Sequence, residues 1–180
     1  YHLPKISNYG IVPPTEKEII SAFTENETGT VVGYSLYNSL SLTTQISKTV
    51  TVMSSALEGS TKSIRYVIVH QVTLKFSKEI TNMVHGLEVL QNFNEIEDIN
   101  YSAFLAYTER LAESFSAAAF VEIVSAKAYK KSTIAFLREI LNYYKVQNNL
   151  NGHLSTLSEY KYPKMEELHE AARIYKTVRF

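Results

Sequence analysis

Two histidines of the chain stand three residues from a glutamate, a spacing that could hold a metal ion or support acid–base chemistry from one face of a helix. His85 precedes Glu88, and His169 follows Glu166. Side chains three positions apart are neighbours on a helix surface. A di-iron site of this kind needs a second such pair and two further glutamates on facing helices, and the sequence does not specify that set. We therefore interpret both pairs as ordinary surface pairs and predict no metal site.

The remaining side chains that could do chemistry do not form a catalytic motif. No Gly-x-Ser-x-Gly elbow occurs, and Gly29 and Gly33 lack the third glycine of a dinucleotide-binding loop. Cysteine is absent, which removes disulfides, thiolate nucleophiles and cysteine-based zinc sites. Asp98 is the single aspartate, so sites that need several aspartates cannot be assembled. The sequence predicts no catalytic residue, no cofactor and no enzyme activity.

Basic side chains form the one pattern that favours a contact surface. Lys131, Arg138 and Lys145 follow one another at intervals of seven, two helical turns apart on one face, and Lys130 adds charge at the same end. Residues 128–180 hold nine basic against five acidic side chains. These four basic residues are our candidate interaction surface, which would face an acidic protein or RNA phosphates. The competing interpretation is a solvated helix face opposite an apolar stripe.

The composition of the whole chain predicts one globular domain. Its 180 residues, 45% of them apolar, suffice for one hydrophobic core. Eighteen basic residues balance eighteen acidic ones, which argues against a whole-molecule attraction to nucleic acid or to an acidic membrane. No unbroken apolar run is longer than five residues, the length of residues 117–121, which is too short for a membrane-spanning helix.

The hydrophobic periodicity changes along the chain and predicts which elements position these side chains. Runs of β-branched and aromatic residues at 31–32, 48–54, 64–70 and 72–76 are typical of strands. From Ser77 onward the apolar period is 3.6, which is typical of helices. We therefore predict an α+β fold in which a small, mostly antiparallel sheet in the N-terminal half packs against a helical C-terminal half.

Local patterns also predict helix ends and core positions. Thr15 and Glu18 form a capping box at the start of a short helix. The apolar faces on either side of residues 129–131 point in different directions, so we predict a break there, with Ser132 or Thr133 capping the next helix. The predicted core contacts are Leu36, Tyr37, Leu40, Leu137, Leu141 and Leu168.

Residues 33–46 carry the most specific pattern in the chain. They read Gly-Tyr-Ser-Leu-Tyr-Asn-Ser-Leu-Ser-Leu-Thr-Thr-Gln-Ile and precede a predicted strand. This pattern resembles the signature of AbiEi-type antitoxins from bacterial abortive-infection systems. The segment before this pattern, which we call the lead-in, resembles that family too. Its residues 2–5 read His-Leu-Pro-Lys, and its residues 10–18 read Gly-Ile-Val-Pro-Pro-Thr-Glu-Lys-Glu. The signature residues are Gly33, Tyr34, Leu36, Tyr37, Asn38, Leu42, Thr43, Thr44 and Gln45.

The resemblance implies a non-catalytic, cytoplasmic antitoxin that counteracts a co-encoded nucleotidyltransferase-like toxin. Such pairs are type IV toxin–antitoxin systems of phage defence, in which the two proteins need not form a stable complex. In this family an upstream winged helix makes the full-length protein a transcriptional regulator that represses its own operon. Residues 1–14 would then be the end of the wing and a linker, and residues 15–180 the antitoxin domain. Accordingly, we expect operator DNA to bind only through a winged helix that residues 1–180 do not include.

Two alternatives stay open at the level of sequence. The signature is either a fold-specifying helix–strand junction, in which Gly33 allows a tight entry and Leu36 and Tyr37 are buried, or a contact site. The function is either that of an antitoxin, or that of an enzyme that reverses or blocks a nucleotidyl modification, or that of a nucleic-acid-binding regulator. A neighbouring nucleotidyltransferase-like reading frame would favour the antitoxin, and a metabolic operon would count against it.

Overall fold

The computed structural model describes the backbone of residues 5–7 and 10–178 and the side chains of residues 13–175. Its strands are β1 (Lys5–Ser7), β2 (Gly10–Val12), β3 (Gly29–Val32), β4 (Val50–Ser54), β5 (Thr61–Ile64) and β6 (Val67–Gln71). Its helices are α1 (Glu16–Thr24), α2 (Tyr34–Ser39), α3 (Lys78–Gln91), α4 (Tyr101–Glu113), α5 (Ala117–Ala126), α6 (Lys131–Tyr143) and α7 (Met165–Val178). Within these residues all strands precede α3, which confirms the predicted α+β class.

A small two-stranded sheet stands at the start of the described chain. β1 and β2 pair antiparallel, with Ile6 opposite Ile11. The guanidinium of Arg65 donates to the carbonyl oxygen of Pro14 at 2.8 Å, and this bond fixes the linker after β2 against the turn between β5 and β6. Residues 2–4 of the family-like lead-in lie outside the described residues.

The main sheet contains four strands in the order β3-β4-β6-β5. β3 pairs antiparallel with β4, and β5 pairs antiparallel with β6. β4 and β6 run parallel. The sheet is therefore mixed and mostly antiparallel, as the sequence predicts, and its parallel pair brings the carboxyl ends of β4 and β6 to the same edge.

Two of the predicted strands differ from the structure. The run 64–70 is not one strand, because Arg65 adopts a left-handed φ of 55° and turns the chain between β5 and β6. The run 72–76 alternates buried and exposed residues as a strand does, yet among the described residues it joins neither sheet. The amide of Phe76, for example, donates to the carbonyl of Glu27 at 2.8 Å. Periodicity indicates which residues are buried, whereas a strand also needs a partner along its edge.

The two faces of the main sheet meet different surroundings, because side chains alternate along each strand. On one face, Val52 and Val67 are buried against Ile19 of α1. On the other face, Val32 and Met53 are buried in the core that the C-terminal helices form. The helices cover only part of this second face, and a cleft lies where their cover ends.

α3 is the central helix of the C-terminal part and packs against α4, α5 and α6. Its residues Val84 and Leu87 are fully buried. Among the described residues, none of the helices is both long enough and apolar enough to cross a bilayer. The predicted core positions are confirmed: Leu40 is partly buried, and the buried ones are Leu36, Tyr37, Leu137, Leu141 and Leu168.

The helix ends agree with the local patterns except at one cap. The predicted capping box begins α1. The predicted break between α5 and α6 is present, since α6 begins at Lys131. The prediction that Ser132 or Thr133 caps α6 is wrong, because Lys130 occupies the cap position. The amide of Lys130 donates to Oε1 of Gln91 at 3.0 Å, so a side chain from α3 supplies an acceptor that a local cap would otherwise provide.

Candidate functional site

The signature residues form a helix–strand junction between β3 and β4, which we call the junction (residues 33–45). Gly33 precedes α2 with a φ of 68°, a left-handed conformation that suits glycine. At the other end of α2, Ser41 has a φ of 59°, and the amide of Leu42 donates back to the carbonyl of Tyr37 at 2.9 Å. This is the bond pattern of a Schellman cap, and Leu42 is fully buried beneath it.

Asn38 closes the junction. Its side-chain amide donates to the carbonyl oxygens of Thr43 and Gln45, both at 2.9 Å. The hydroxyl of Thr43 accepts from the amide of Gln45 at 3.1 Å. Two side chains therefore determine the path of the chain where it leaves α2.

The junction is also bonded to residues 93–100, the connector between α3 and α4. The hydroxyl of Thr43 donates to the carbonyl of Glu97 at 2.6 Å. The side-chain amide of Gln45 donates to Oδ2 of Asp98 at 2.6 Å. These bonds join the sheet to the helical part of the molecule.

The tyrosines of the signature lie on the inner side of the junction. Tyr34 is half-buried, and its hydroxyl donates to the carbonyl of Glu95 at 3.0 Å. Burial raises the pKa of the Tyr37 phenol to about 12, and the carboxylate of Glu88 adds to the shift. Thr44, by contrast, is exposed to solvent. Most polar groups of the junction thus have partners within the chain, which is the arrangement that the fold-specifying interpretation expects.

Two residues of the candidate interaction surface hold a loop in place. The ammonium of Lys131 donates to the carbonyl of His153 at 2.7 Å. The guanidinium of Arg138 donates to Oδ1 of Asn151 at 2.8 Å. Both side chains therefore tie α6 to a 3₁₀ turn at Leu150–His153.

The other two residues lie beyond the ends of α6. Lys130 precedes the helix, and Lys145 follows its last residue, Tyr143. Lys145 has a φ of 58° because the chain turns there. The expectation that Lys145 shares a helical face with Lys131 is therefore wrong. Lys130 and Lys145 are both exposed.

In each histidine–glutamate pair, the histidine is hydrogen-bonded to a residue other than its glutamate. Nε2 of His85 is hydrogen-bonded to the hydroxyl of Thr30 at 2.7 Å. Glu88 is buried, so the interpretation of this first pair as a surface pair is wrong. In the second pair, Nε2 of His169 is hydrogen-bonded to the hydroxyl of Tyr143 at 2.9 Å. In the part of the chain that the structure describes, no three His, Asp or Glu side chains lie together as a metal site would require.

His85 lines a pocket of about 420 Å³ between β3 and α2. Burial lowers the pKa of its imidazole from 6.5 to about 4, although a backbone bond at Val31 favours the protonated ring. The ring is therefore neutral at pH 7. The pocket is also lined by the hydroxyl-bearing residues Thr30, Ser35 and Ser39, so it offers uncharged hydrogen-bonding groups rather than a charged site.

Sequence reasoning missed a second pocket, of about 300 Å³, between the half-covered face of the main sheet and the ends of α3 and α5. We call it the sheet–helix cleft. Its polar lining comes from Thr51, His70 and Gln71 of the sheet and from Glu88 and Lys127 of the helical part. A carboxylate and an ammonium group thus converge in one concave site.

Glu88 and Lys127 form an ion pair in the cleft. Nζ of Lys127 lies 2.5 Å from Oε1 of Glu88. Glu88 is only 6% exposed. Lys127 lines the cleft and keeps 29% of its side chain exposed. Removing the lysine would leave a buried carboxylate without its counter-charge, which is strongly unfavourable.

Tyr129 places a buried hydroxyl beside this ion pair. The residue is 8% exposed, and its phenolic oxygen has no hydrogen-bond partner within the described residues. Burial raises the pKa of the phenol, and the neighbouring Glu88 carboxylate raises it further. The ammonium of Lys127 lies 4.9 Å from the centroid of the Tyr129 ring, within the range of a cation–π contact. The phenol therefore stays protonated, and the Glu88 carboxylate is the group placed to accept from its hydroxyl.

One signal for the cleft was present in the sequence. Glu88 stands four residues after Val84 on the apolar stripe of α3, and a charge on a core stripe needs a buried partner. The partner, Lys127, is 39 residues further along the chain, so local spacing does not reveal it.

Comparison with known proteins found no similar protein. No protein-family model, no curated protein and no solved structure matches this chain. Its function is therefore inferred from its own residues, chiefly from the junction and from the sheet–helix cleft.

Proposed function

We propose that this chain is the antitoxin domain of an AbiEi-type, type IV toxin–antitoxin system, where it counteracts a nucleotidyltransferase-like toxin during abortive infection. One observation carries the proposal: the segment that resembles the family signature folds as one bonded unit. Asn38, Thr43 and Gln45, three polar residues of that signature, use their side chains within the junction or toward the connector.

The antitoxin acts in this proposal by contact rather than by chemistry. Lys130 and Lys145 are exposed at opposite ends of α6 and are free to meet an acidic toxin surface or RNA phosphates. Residues 128–180 contain more basic than acidic side chains, and this excess of positive charge adds a long-range attraction for such a partner. Lys131 and Arg138 hold the 3₁₀ turn, so their contribution to recognition is secondary.

Operator binding belongs, in the same proposal, to an upstream winged helix, and the protein acts in the cytoplasm. β1 and β2 pair antiparallel ahead of the linker at residues 13–14, where the family resemblance puts the end of a wing. We expect residues 1–180 to bind operator DNA weakly or not at all. The chain with its winged helix should bind in a strongly salt-dependent way, because phosphate contacts release counterions.

Growth rescue tests the proposal. If the neighbouring reading frame encodes the proposed nucleotidyltransferase-like toxin, cells that express it should stop growing and should resume growth when this chain is co-expressed. Absence of rescue at matched, soluble expression would contradict the proposal.

The alternative, an enzyme that reverses a nucleotidyl modification, is favoured by one contact. The hydroxyl of Tyr143 and Nε2 of His169 lie 2.9 Å apart, and Tyr143 is 43% exposed. At this distance the two groups share a hydrogen bond, and an imidazole so placed is the residue type most often used for general acid–base catalysis. Loss of rescue on His169→Ala or Glu166→Gln, with folding intact, would support the enzyme. Unchanged rescue in both variants would support the antitoxin.

A further inference from the structure

The sheet–helix cleft has the features of a small-molecule site, and the proposed antitoxin function makes no use of it. Its volume of about 300 Å³ lies at the lower end of the range for ligand pockets. Such pockets combine apolar walls with a few converging polar groups. Here Glu88 and Lys127 are the charged groups. The apolar lining residues are Val32, Met53, Val72 and Ala126.

The ion pair restricts the charge of a ligand. Because Glu88 and Lys127 neutralise each other, the cleft offers no free counter-charge, and any ionic ligand meets a group of its own charge there. This would place like charges close together in a poorly solvated site. An uncharged ligand avoids this repulsion, so the cleft favours a neutral molecule.

Both members of the pair retain hydrogen-bonding capacity. A carboxylate accepts through two oxygens, and an ammonium group carries three N–H donors, so one mutual bond exhausts neither. Glu88 and Lys127 therefore offer an acceptor and a donor side by side. The complementary ligand presents an N–H next to a carbonyl oxygen.

We propose that the sheet–helix cleft binds a small, uncharged, planar heterocycle through such a donor–acceptor edge. Glu88 accepts from the ring N–H, Lys127 donates to the adjacent carbonyl oxygen, and the apolar lining covers the ring. Lactam rings and nucleobases share this edge. The inference stands apart from the antitoxin proposal, because it rests on the cleft alone.

Tyr129 allows the ion pair to adapt when the ligand binds. While Lys127 uses a second N–H for the ligand, the Tyr129 hydroxyl, which interacts with the Glu88 carboxylate, can supply that carboxylate with a further donor. The carboxylate then keeps its complement of donors while buried. This role accounts for a buried hydroxyl that otherwise lacks a partner within the described residues.

Calorimetric titration of the full chain tests the proposal with four probes. Uracil and 2-pyridone both carry the neutral N–H and C=O edge, and they distinguish a nucleobase from a simple lactam. 1,3-Dimethyluracil lacks the N–H groups, and orotate adds a negative charge. We expect uracil, 2-pyridone or both to bind and to raise the Tm. The dimethylated and charged probes should bind at least tenfold more weakly.

Variants locate the site. Ala126 is exposed at the rim of the cleft, so Ala126→Trp should fill the opening without disturbing the core and should abolish binding. Ala118→Trp, at an exposed position of the same helix outside the cleft lining, should bind as the wild type does. Tyr129→Phe should weaken binding several-fold without lowering the Tm of the free chain.

Three results would overturn the proposal. The first is the absence of binding by both uracil and 2-pyridone at millimolar concentration. The second is equal binding of uracil and 1,3-dimethyluracil. The third is unchanged binding in the Ala126→Trp variant.

Discussion

The side-chain amide of Asn38 donates to the carbonyl oxygen of Thr43 at 2.9 Å and closes the turn by which the chain leaves α2. The hydroxyl of Thr43 then donates to Glu97 of the connector. The junction thus links the main sheet to the helices through side chains of the family-like signature, and a defect there should loosen both parts.

Asn38→Ala should lower the free energy of unfolding by about 1–3 kcal/mol, because two hydrogen bonds are lost and their carbonyl acceptors stay partly buried. Urea denaturation followed by circular dichroism measures this loss. Asn94→Ala is the matched control, because Asn94 is exposed in the connector that the junction contacts. The control should change stability by less than about 0.5 kcal/mol. Equal stability of Asn38→Ala and wild type would refute the role given to Asn38.

His85 should make the fold less stable as the pH falls below 6.5. Burial lowers the pKa of His85 from 6.5 to about 4 in the folded chain, so between these values the unfolded chain binds the proton and the folded chain does not. The stabilising effect of the neutral ring is therefore complete above pH 6.5 and is lost as the pH falls toward 4. The slope from this group is at most about 1.4 kcal/mol per pH unit.

The matched variant for this prediction is His85→Gln. Glutamine can still bond to Thr30 but does not titrate, so its unfolding free energy should fall less steeply between pH 6.5 and 4. Parallel curves for the two proteins would show that His85 is not held neutral by the fold.

Lys127→Met should destabilise the chain by about 2–4 kcal/mol, because it leaves the carboxylate of Glu88 buried without its ion-pair partner. The double variant with Glu88→Gln should recover part of this loss, since it removes the unpaired charge. Tyr129→Phe should be neutral or slightly stabilising, because the lost hydroxyl has no partner within the described residues. Thermal and urea unfolding measure all three. If Lys127→Met left the free energy of unfolding unchanged, the ion pair would contribute little to stability.

Lys130→Glu combined with Lys145→Glu should impair growth rescue while leaving stability unchanged, because both side chains are exposed and the reversal changes the sign of the local field. Lys17→Glu combined with Lys48→Glu makes the same charge change at exposed positions elsewhere and should rescue as the wild type does. If both double variants rescue equally, the toxin or its target is recognised by another surface.

Features that depend on nearby residues could be predicted from the sequence. The capping box at Thr15 and the break between α5 and α6 are present as predicted, because a cap and an apolar face are determined within a few helical turns. Leu137 and Leu168 are buried for the same reason.

Features that depend on distant partners could not be predicted in this way. The start of α6 bonds to Gln91 of α3, and the ion pair of the cleft joins Glu88 to Lys127. Residues 72–76 have the period of a strand but find no partner strand in the part of the chain that the structure describes. In each case the outcome depends on which elements meet in the fold, and local spacing carries no information about that.

Growth of cells that express a nucleotidyltransferase-like toxin, the partner we propose, together with this chain tests the antitoxin proposal most directly. The toxin is held at one inducer level while expression of the chain is raised in steps, and soluble protein is quantified at each step. We expect the growth rate to recover with the amount of folded chain, and we expect Asn38→Ala to need more expression for the same recovery. Growth that stays arrested at every level of soluble, folded chain would contradict the proposal.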